Sequence, residues 1–402
     1  MTDAPKLPMS GVRVLDVATF LAAPFCATIF GEFGADVIKI EHPQYGDPLR
    51  GLGLKTENGE TLTWMSEARN KRSMTLNLGN KQGANVFKEL VKGADVVVEN
   101  FRPGTMERWG LGYEELAAIN PRIVMVRITA YGQDGPYKDR PGFARIAHGF
   151  GGLSYLAGES GSRPVVPGST SLADYISGLY AAIGAMLALR EAERSGHGQS
   201  VDMALYESIF RLLDEVAPAY AKFGVVRERM GADTATIVPH SHYQCADGNW
   251  IALACSSDKI FARLAHVMGR DDLVSPTAYA TMKQRIDARD YINECVATWA
   301  KNHTRADLMT ECEAAEVPCG PINNIADIFQ DEHFAARGNL VSMQTEDSGE
   351  LTVPGVFPRL SRTPGRITHL GRHKGQDTSQ LLHELLGMTE TQITSLREAG
   401  AI

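Results

Sequence analysis

The first 130 residues repeat one pattern, in which a short β-branched run precedes a helix-like stretch and a second β-branched run follows it. Residues 12–17 and 35–40 are the first two runs, and residues 24–33 between them suit a helix. About 30 residues for strand, helix and strand is the length of a parallel crossover unit. Because residues 94–99 and 122–128 continue the alternation, the sequence predicts an α/β fold with a doubly wound, Rossmann-like sheet.

The character of the chain changes after about residue 225. Residues 243–254 predict a β-hairpin with its turn at residues 246–249, and helical segments follow to about residue 316. This part of the sequence therefore indicates a second, smaller domain. A strand-rich stretch from residue 337 and a closing helix pair, at residues 379–386 and 390–399, complete the chain.

Composition excludes several classes of protein. A net charge of −8 argues against a non-specific nucleic-acid binder, which needs a basic surface. The six cysteines form no CxxC pair and have no histidine cluster beside them, so we expect reduced thiols in a cytoplasmic protein, with neither a disulfide framework nor a metal site. The N-terminus lacks the apolar run of a signal peptide. Asp174 and Ser177 interrupt the longest apolar stretch, so we expect no membrane span.

The opening strand–helix–strand unit raises the alternative of a nicotinamide or flavin oxidoreductase. Its second strand ends at Glu41, the type of residue that holds a ribose in dinucleotide-binding domains. The turn at residues 16–24 has no GxGxxG sequence, however, so its backbone could not approach a pyrophosphate closely. One fold supports many unrelated functions, so the strand–helix–strand unit by itself is weak evidence for an oxidoreductase, and the sequence disfavours that function.

Several segments, taken in order, resemble class III CoA-transferases, the family of the formyl-CoA:oxalate and carnitine CoA-transferases, which shares its fold with the α-methylacyl-CoA racemases. The resemblance covers nearly the whole chain. The segments that carry it are residues 11–16, 34–41, 70–73, 99–104, 128–132, 172–174, 196–207, 385–387 and 400–402.

The resemblance implies an enzyme that moves coenzyme A between carboxylic acids. It also implies a large α/β domain from residues 1–224 and 330–402, with a small α+β domain, residues 225–329, inserted between them. Two ring-like subunits would interlock as a homodimer. Coenzyme A or acyl-CoA would be a substrate rather than a permanently bound cofactor, and no metal, nucleic acid or membrane would be involved.

Asp174 lies in the first turn of a predicted helix, where acidic residues are common because they complement the helix dipole. Gly178, Ala181 and Ala185 share its helical face, which indicates that something packs or docks closely there. The resemblance assigns Asp174 a sharper role, as the carboxylate nucleophile that forms a mixed anhydride and then a thioester with coenzyme A.

The resemblance also implies a set of coenzyme A contacts. Cations would bind the phosphates, and flat side chains would cover the adenine. The residues expected to do so are His42, Lys71, Arg72, Asn100, Phe101, Arg102, Arg108 and Trp109.

Two departures from the oxalate enzyme argue against oxalate as substrate. Leu21 replaces a glutamine of the first turn, and Ala144 replaces a glutamate. Nearby, Arg145 and His148 are an unusual pair, and we expect one or both to hold the second carboxylate of a dicarboxylic acid. A surface arginine and a core histidine are the alternative interpretation.

Two other functions stay open at this point. A racemase would need a histidine in a Gly-His-Asp run, where this chain has Phe143 and Ala144 after its glycine. A non-catalytic CoA-binding protein would not need Asp174, which is intact.

Overall fold

A computed structural model describes residues 6–345 and 348–402 of the chain. The chain divides into two compact units. Unit 1 comprises residues up to Leu153, Gly168–Ala217 and His333–Ile402, and unit 2 comprises Ser154–Pro167 and Pro218–Glu332.

The strands of the described residues are β1 Arg13–Asp16, β2 Asp36–Glu41, β3 Lys71–Thr75, β4 Val96–Glu99, β5 Val124–Thr129, β6 Ser200–Ala204, β7 His240–Gln244, β8 Trp250–Ala254, β9 Cys319–Pro321, β10 Leu340–Thr345 and β11 Gly349–Pro354.

The α-helices of the same residues are α1 Ala22–Glu32, α2 Leu62–Glu67, α3 Lys81–Val91, α4 Thr105–Arg108, α5 Tyr113–Ile119, α6 Ala144–Phe150, α7 Leu153–Leu156, α8 Leu172–Ser195, α9 Leu205–Phe210, α10 Val216–Phe223, α11 Asp258–Val267, α12 Met282–Asp287, α13 Arg289–Ala300, α14 Arg305–Ala314, α15 Ile325–Gln330, α16 Glu332–Ala336, α17 Thr378–Leu386 and α18 Glu390–Glu398. Short 3₁₀ turns lie at Pro48–Gly51, Pro167–Ser169 and Asp271–Val274.

Unit 1 is built on a six-stranded parallel sheet in the order β3-β2-β1-β4-β5-β6. This arrangement confirms the predicted parallel α/β fold. The chain runs outward from β1 to β3 and then returns to add β4 on the other side of β1. The strand order therefore reverses between β1 and β4, and open sheets of this kind bind ligands outside the carboxyl ends of such strands.

Both faces of this sheet are buried, because successive residues of each strand point to opposite sides. In β1, Val14 packs in one core with α1 and α8, whereas Leu15 packs in the other core with α3 and α5. Both side chains are fully buried. This burial explains why the central strands β4 and β5 are mostly apolar in the sequence.

The C-terminal segment completes the second face. Leu381 and Leu382 of α17 and Ile393 of α18 are fully buried in the same core as Leu15. The segment is also fastened to the sheet, since Asp377 accepts a 2.7 Å hydrogen bond from the backbone N–H of Ser73 in β3. Unit 1 is thus assembled from both ends of the chain.

Unit 2 contains the antiparallel sheet β7-β8-β9 and the helices α11 to α14, which share one apolar core. The predicted hairpin is present, as His240–Gln244 pairs with Trp250–Ala254. The main segment of unit 2, Pro218–Glu332, begins seven residues before and ends three residues after the predicted small domain at residues 225–329. Unit 2 also includes Ser154–Pro167, where Arg229 donates to the carbonyls of Tyr155 and Ser162.

Helix α8 is long and apolar enough, by length and composition, to meet the criteria for a membrane-spanning helix. One side of it packs against α1 through Ala181 and Ala185, which are buried in the core that contains Val14. Its other side carries exposed apolar residues, among them Leu179, Ile183 and Leu187. Leu187 is the most open of the three, at 68% exposure.

Candidate functional site

A cavity of about 260 Å³ opens at the carboxyl ends of β1, β2 and β4, where the strand order reverses. Residues from four parts of the chain line it. These are residues 17–19 after β1, residues 39–47 at the end of β2, residues 76–79 after β3, and Phe101 with Trp109. The position is the one at which a doubly wound sheet binds its ligand.

The structure brings three of the predicted coenzyme A contacts together in this cavity, namely His42, Phe101 and Trp109. The rings of Phe101 and Trp109 meet edge to face, with centroids 5.1 Å apart. The imidazole of His42 stacks on Tyr45 at 4.7 Å, and its pKa is lowered by burial and by the Lys374 ammonium group. These flat side chains suit an adenine ring.

Asn100 is not among the residues that line the cavity, because both ends of its amide are engaged elsewhere. Its Oδ1 accepts a 2.8 Å bond from the N–H of Thr19, and its Nδ2 donates a 2.7 Å bond to the Thr19 carbonyl. Asn100 therefore fixes the turn between β1 and α1, and Thr19 on that turn lines the cavity.

Lys71, expected at the coenzyme A phosphates, lies inside unit 1. Its Nζ is 2.9 Å from Asp16 and 2.6 Å from the carbonyl of Pro24, and its side chain is 2% exposed. Lys39 and Asp47 extend this into a buried group of four charges, with Lys39 Nζ 2.8 Å from Asp47. This placement corrects the expectation for Lys71, because its ammonium group is already paired within the fold.

Arg72 is also engaged, through two hydrogen bonds to Asp36 and an ion pair with Glu384 at 3.0 Å. Arg102 and Arg108 are exposed, and one guanidinium nitrogen of Arg108 donates to Thr105. Of the predicted phosphate-binding residues, these two arginines have guanidinium groups that are largely open to solvent and could bind a phosphate.

The Asp174 carboxylate lies half-buried in the first turn of α8. It accepts no hydrogen bond from the described residues, and no basic side chain among them pairs with it. Burial alone raises the pKa of Asp174 to about 6. The charge of a partly desolvated carboxylate without partners is poorly stabilised, and such a group is a better nucleophile than one in water.

The backbone N–H groups around Asp174 already have acceptors. The N–H groups of Asp174 and Tyr175 donate to the carbonyl of Ser171, and the N–H of Ala173 donates to His148. These three groups are therefore occupied and are not free to donate to an oxyanion in this structure.

Arg145 and His148 both belong to α6 but occupy opposite environments. Arg145 is exposed, whereas His148 is fully buried with its Nε2 2.9 Å from the N–H of Ala173. The expected direct contact between His148 and a substrate carboxylate does not suit this burial. Burial lowers the pKa of the His148 imidazole, and the charge of Arg145, which remains open to solvent, lowers it further.

The turn between β1 and α1 connects the cavity to the surroundings of Asp174. Phe20 of that turn contacts Phe143, which directly precedes α6, with ring centroids 5.5 Å apart. Phe20 has a φ of +62°, and Asp47 stabilises this unusual conformation by accepting its N–H at 3.0 Å. The face of α8 beside Asp174 carries small residues because α1 packs closely against it. A Cβ on Gly178 would lie 2.7 Å from the carbonyl oxygen of Ala22 in α1.

Sequence reasoning did not identify Lys374, whose ammonium group donates to the carbonyls of Pro43 and Gln44 beside His42. It also did not identify the pairing of Asp16 with Lys39 and Lys71. Lys374 is more than 300 residues from His42 along the chain, and no local pattern marks it. The inward-facing lysines of β2 and β3 were a usable signal, because a lysine at a buried strand position requires a buried partner.

Comparisons with known proteins agree on one family. Residues 9–378 match the model of CoA-transferase family III. A succinyl-CoA–L-malate CoA-transferase beta subunit from Chloroflexus aurantiacus is 54% identical over 98% of each chain. A succinate–glutarate CoA-transferase from Agrobacterium fabrum is 35% identical over 96% of this chain and 98% of its own. The crystal structure of a CAIB/BAIF family protein from Brucella suis superposes with a TM-score of 0.84 at 32% identity, over 95% of this chain and 100% of that one.

Proposed function

Because this chain belongs to CoA-transferase family III and is a CoA-transferase, we propose that it moves coenzyme A from an acyl-CoA donor to a small dicarboxylic acid through Asp174. The observation that carries the proposal is the half-buried carboxylate of Asp174, which has no partner among the described residues. The named relatives act on succinyl-CoA with L-malate and on succinate with glutarate, and this supports a dicarboxylic acid as acceptor.

The reaction begins when the Asp174 carboxylate attacks the thioester carbonyl of the donor. Coenzyme A leaves as a thiolate, and a mixed anhydride joins the donor acyl group to Asp174. The thiolate then attacks the Asp174 carbonyl carbon, which releases the donor acid and leaves an aspartyl-CoA thioester. The acceptor carboxylate attacks this thioester and expels the thiolate, which in turn attacks the acceptor carbonyl and regenerates Asp174.

The cavity between β1 and β4, where the strand order reverses, would hold the nucleotide end of coenzyme A. His42, Phe101 and Trp109 offer flat surfaces for the adenine, and Thr19 is held in place by Asn100. Arg102, Arg108 and Lys374 would supply positive charge to the phosphates. On an acidic protein, such a local group of cations is what a polyanionic substrate requires.

Arg145 would bind the second carboxylate of the acceptor. Its guanidinium group is exposed on α6 and forms no ion pair among the described residues. Replacing Arg145 by Ala should raise the KM for a dicarboxylic acceptor about tenfold or more, because a charged hydrogen bond contributes about 1.5–3 kcal/mol. The KM for a monocarboxylic acceptor should stay unchanged, and equal effects on both acceptors would contradict this role.

The functional chain would be a homodimer in the cytoplasm, with the unit 2 segment as a domain inserted into unit 1. The exposed apolar residues Leu179, Ile183 and Leu187 on α8 support a partner subunit on that face. The six cysteines are all free, in keeping with a reducing compartment.

A racemase is a weaker candidate because it needs a second base beside Asp174. His148 is fully buried, and its Nε2 is already engaged with Ala173. Incubation of a 2-methylacyl-CoA in deuterium oxide would give rapid exchange at C2 only for a racemase.

A non-catalytic CoA-binding protein would bind coenzyme A and transfer it to none of a broad panel of acids.

The experiment that tests the proposal combines Asp174→Asn with covalent trapping. Wild-type enzyme and variant would be mixed with succinyl-CoA, acetyl-CoA and a panel of acids, and thioester exchange would be measured. The variant should lose at least about a thousandfold in kcat, because it lacks the nucleophile. Hydroxylamine should convert Asp174 to a hydroxamate only in turning-over wild-type enzyme, as read by mass spectrometry. Native exchange rates in the Asp174→Asn variant would overturn the mechanism.

A further inference from the structure

The first turn of α8 is capped by a side chain from another helix. The backbone N–H groups at the start of a helix have no partner within it, and a residue such as Ser171 usually caps them. Here the Ser171 side chain makes no such bond. Instead, Nε2 of His148 in α6 accepts the N–H of Ala173 at 2.9 Å. The residue that follows Ala173 is Asp174.

This hydrogen bond fixes the protonation of His148. Because Nε2 accepts, it carries no proton, so the imidazole is neutral with its hydrogen on Nδ1. Nδ1 is buried and has no partner among the described residues, which leaves the bond to Ala173 as the polar contact that orients the ring. A protonated ring would present an N–H to another N–H and would lose the cap.

The Asp174 side chain makes no hydrogen bond within the part of the chain that the structure describes. Its position is therefore set by the backbone of the first turn of α8. That backbone is held from outside the helix by His148, whose ring is fully enclosed. Correct placement of a nucleophile matters greatly to the rate, since a shift of about 1 Å costs about a hundredfold.

We propose that His148 is a positioning residue for the transfer reaction, which holds the first turn of α8 so that the Asp174 carboxylate faces the thioester carbonyl. The proposal rests on the proposed function, in which Asp174 is the nucleophile. It replaces the expected contact between His148 and a substrate carboxylate with a contact between His148 and the backbone beside the nucleophile.

The test compares two replacements at His148. In His148→Gln the side-chain oxygen reaches about as far as Nε2 and can still accept the Ala173 N–H. In His148→Leu the volume is similar, but no acceptor is present. The control is Ser208→Ala, which removes a different buried hydrogen bond to α8, the 2.9 Å contact between Ser208 and Ser177. Steady-state kinetics with an acyl-CoA donor and a dicarboxylic acceptor would give kcat and both KM values.

His148→Leu should lower kcat roughly 10- to 100-fold and leave both KM values within about twofold. His148→Gln should keep kcat within about threefold of wild type, and Ser208→Ala should keep it unchanged. Equal losses for the Gln and Leu variants would overturn the proposal, as would a rise in the acceptor KM at constant kcat. A Leu variant with native kcat would also overturn it.

Two measurements keep the proposal testable if the Leu variant does not fold. His148→Asn is polar but too short to reach Ala173, so it should lose kcat as the Leu variant does. Nitrogen-15 NMR of histidine-labelled wild-type enzyme should show the neutral Nδ1–H tautomer for His148, and an Nε2–H tautomer would overturn the assignment. Failure of the proposed function is distinguished separately, since it would appear as native activity in Asp174→Asn.

Discussion

The side-chain amide of Asn100 pairs with both backbone groups of Thr19, at 2.8 Å to the N–H and 2.7 Å to the carbonyl. These two residues follow β4 and β1, the strands between which the sheet order reverses. The pair therefore ties together the two sides of the crevice at its base. A binding loop that is held rigid before the ligand arrives loses less entropy on binding.

Asn100→Ala should weaken coenzyme A binding without removing any contact to it. Loss of the two hydrogen bonds, at about 0.5–1.5 kcal/mol each, should raise the Kd for coenzyme A about 5- to 100-fold and leave kcat within about threefold. Isothermal titration and steady-state kinetics would measure the two quantities. Asn120→Ala, which removes an amide bonded to the carbonyls of Val91 and Ala94 elsewhere in unit 1, is the control. Similar Kd changes in both variants would contradict this role.

The activity of the enzyme should decline on the acid side of neutrality. Only the ionised Asp174 carboxylate can attack a thioester, and burial raises the pKa of this group to about 6. The value of kcat/KM should therefore be constant above about pH 7 and should fall as the pH decreases through about 6. A profile that stays flat down to pH 5 would contradict the assignment, provided that the enzyme remains folded there.

Asp174→Asn should stabilise the fold at neutral and alkaline pH. The folded pKa is about 6 against an ordinary value of 3.8, so the folded protein binds this proton more readily than the unfolded chain. Ionisation of Asp174 thus lowers the free energy of unfolding by up to about 3 kcal/mol. This loss of stability is complete above about pH 6 and absent below about pH 4. Urea unfolding at pH 8 and pH 4 would measure the difference, with Asp139→Asn as an exposed control. Equal free energies of unfolding for wild type and Asp174→Asn at pH 8 would contradict the idea that burial of the ionised carboxylate destabilises the fold.

Lys71→Met should destabilise unit 1 strongly. The change leaves Lys39, at 3.7 Å, as the remaining cation beside the buried Asp16 among the described residues, and breaking such a buried pair costs about 3–5 kcal/mol. Lys92→Met is the matched control, because its pair with Glu89 is solvent-exposed and contributes at most about 1 kcal/mol. Calorimetry would compare the two Tm values. A phosphate-binding lysine would give the opposite result, with an unchanged Tm and a higher Kd for coenzyme A.

Leu187→Glu should separate the proposed homodimer. Leu187 is 68% exposed on α8 and lies one turn from Ile183, which is 50% exposed. A charge placed in an apolar interface would lose its solvent without gaining a partner. Light scattering coupled to size exclusion should give a dimer for wild type and a monomer for the variant. Asn85→Glu, on exposed α3 surface, should remain dimeric, and a monomeric wild type would contradict the proposal.

The fold was largely predictable because buried parallel strands leave a simple signature. Residues 35–40 and 122–128 are rich in β-branched and other apolar residues, and the structure has β2 and β5 there. Helices α6 and α7 were not predicted, because the stretch that contains them is rich in glycine, with 7 glycines in residues 142–168. Glycine lowers helix propensity, and tertiary packing of Ala144 and Ala147 compensates for it here.

Individual site residues were harder to predict than the fold. Lys71, Asn100 and His148 are all polar residues near the site, and the sequence does not show which atom each of them contacts. Asn100 and His148 bind backbone groups 81 and 25 residues away, so their roles depend on the tertiary arrangement. Asp174 could be proposed as the nucleophile from the sequence, because a short motif at the start of one helix marks it.

The location of α17 and α18 has a consequence for synthesis on the ribosome. The sheet face that contains Leu15 is covered by α3 and α5 at once, but the part that packs on α17 and α18 stays open until these helices emerge, although β6 is complete at residue 204. At roughly 5–20 residues per second, nearly 200 further residues take about 10–40 seconds to translate. During that interval the nascent polypeptide exposes part of an apolar sheet surface. We therefore expect chaperones that act near the exit tunnel to bind it.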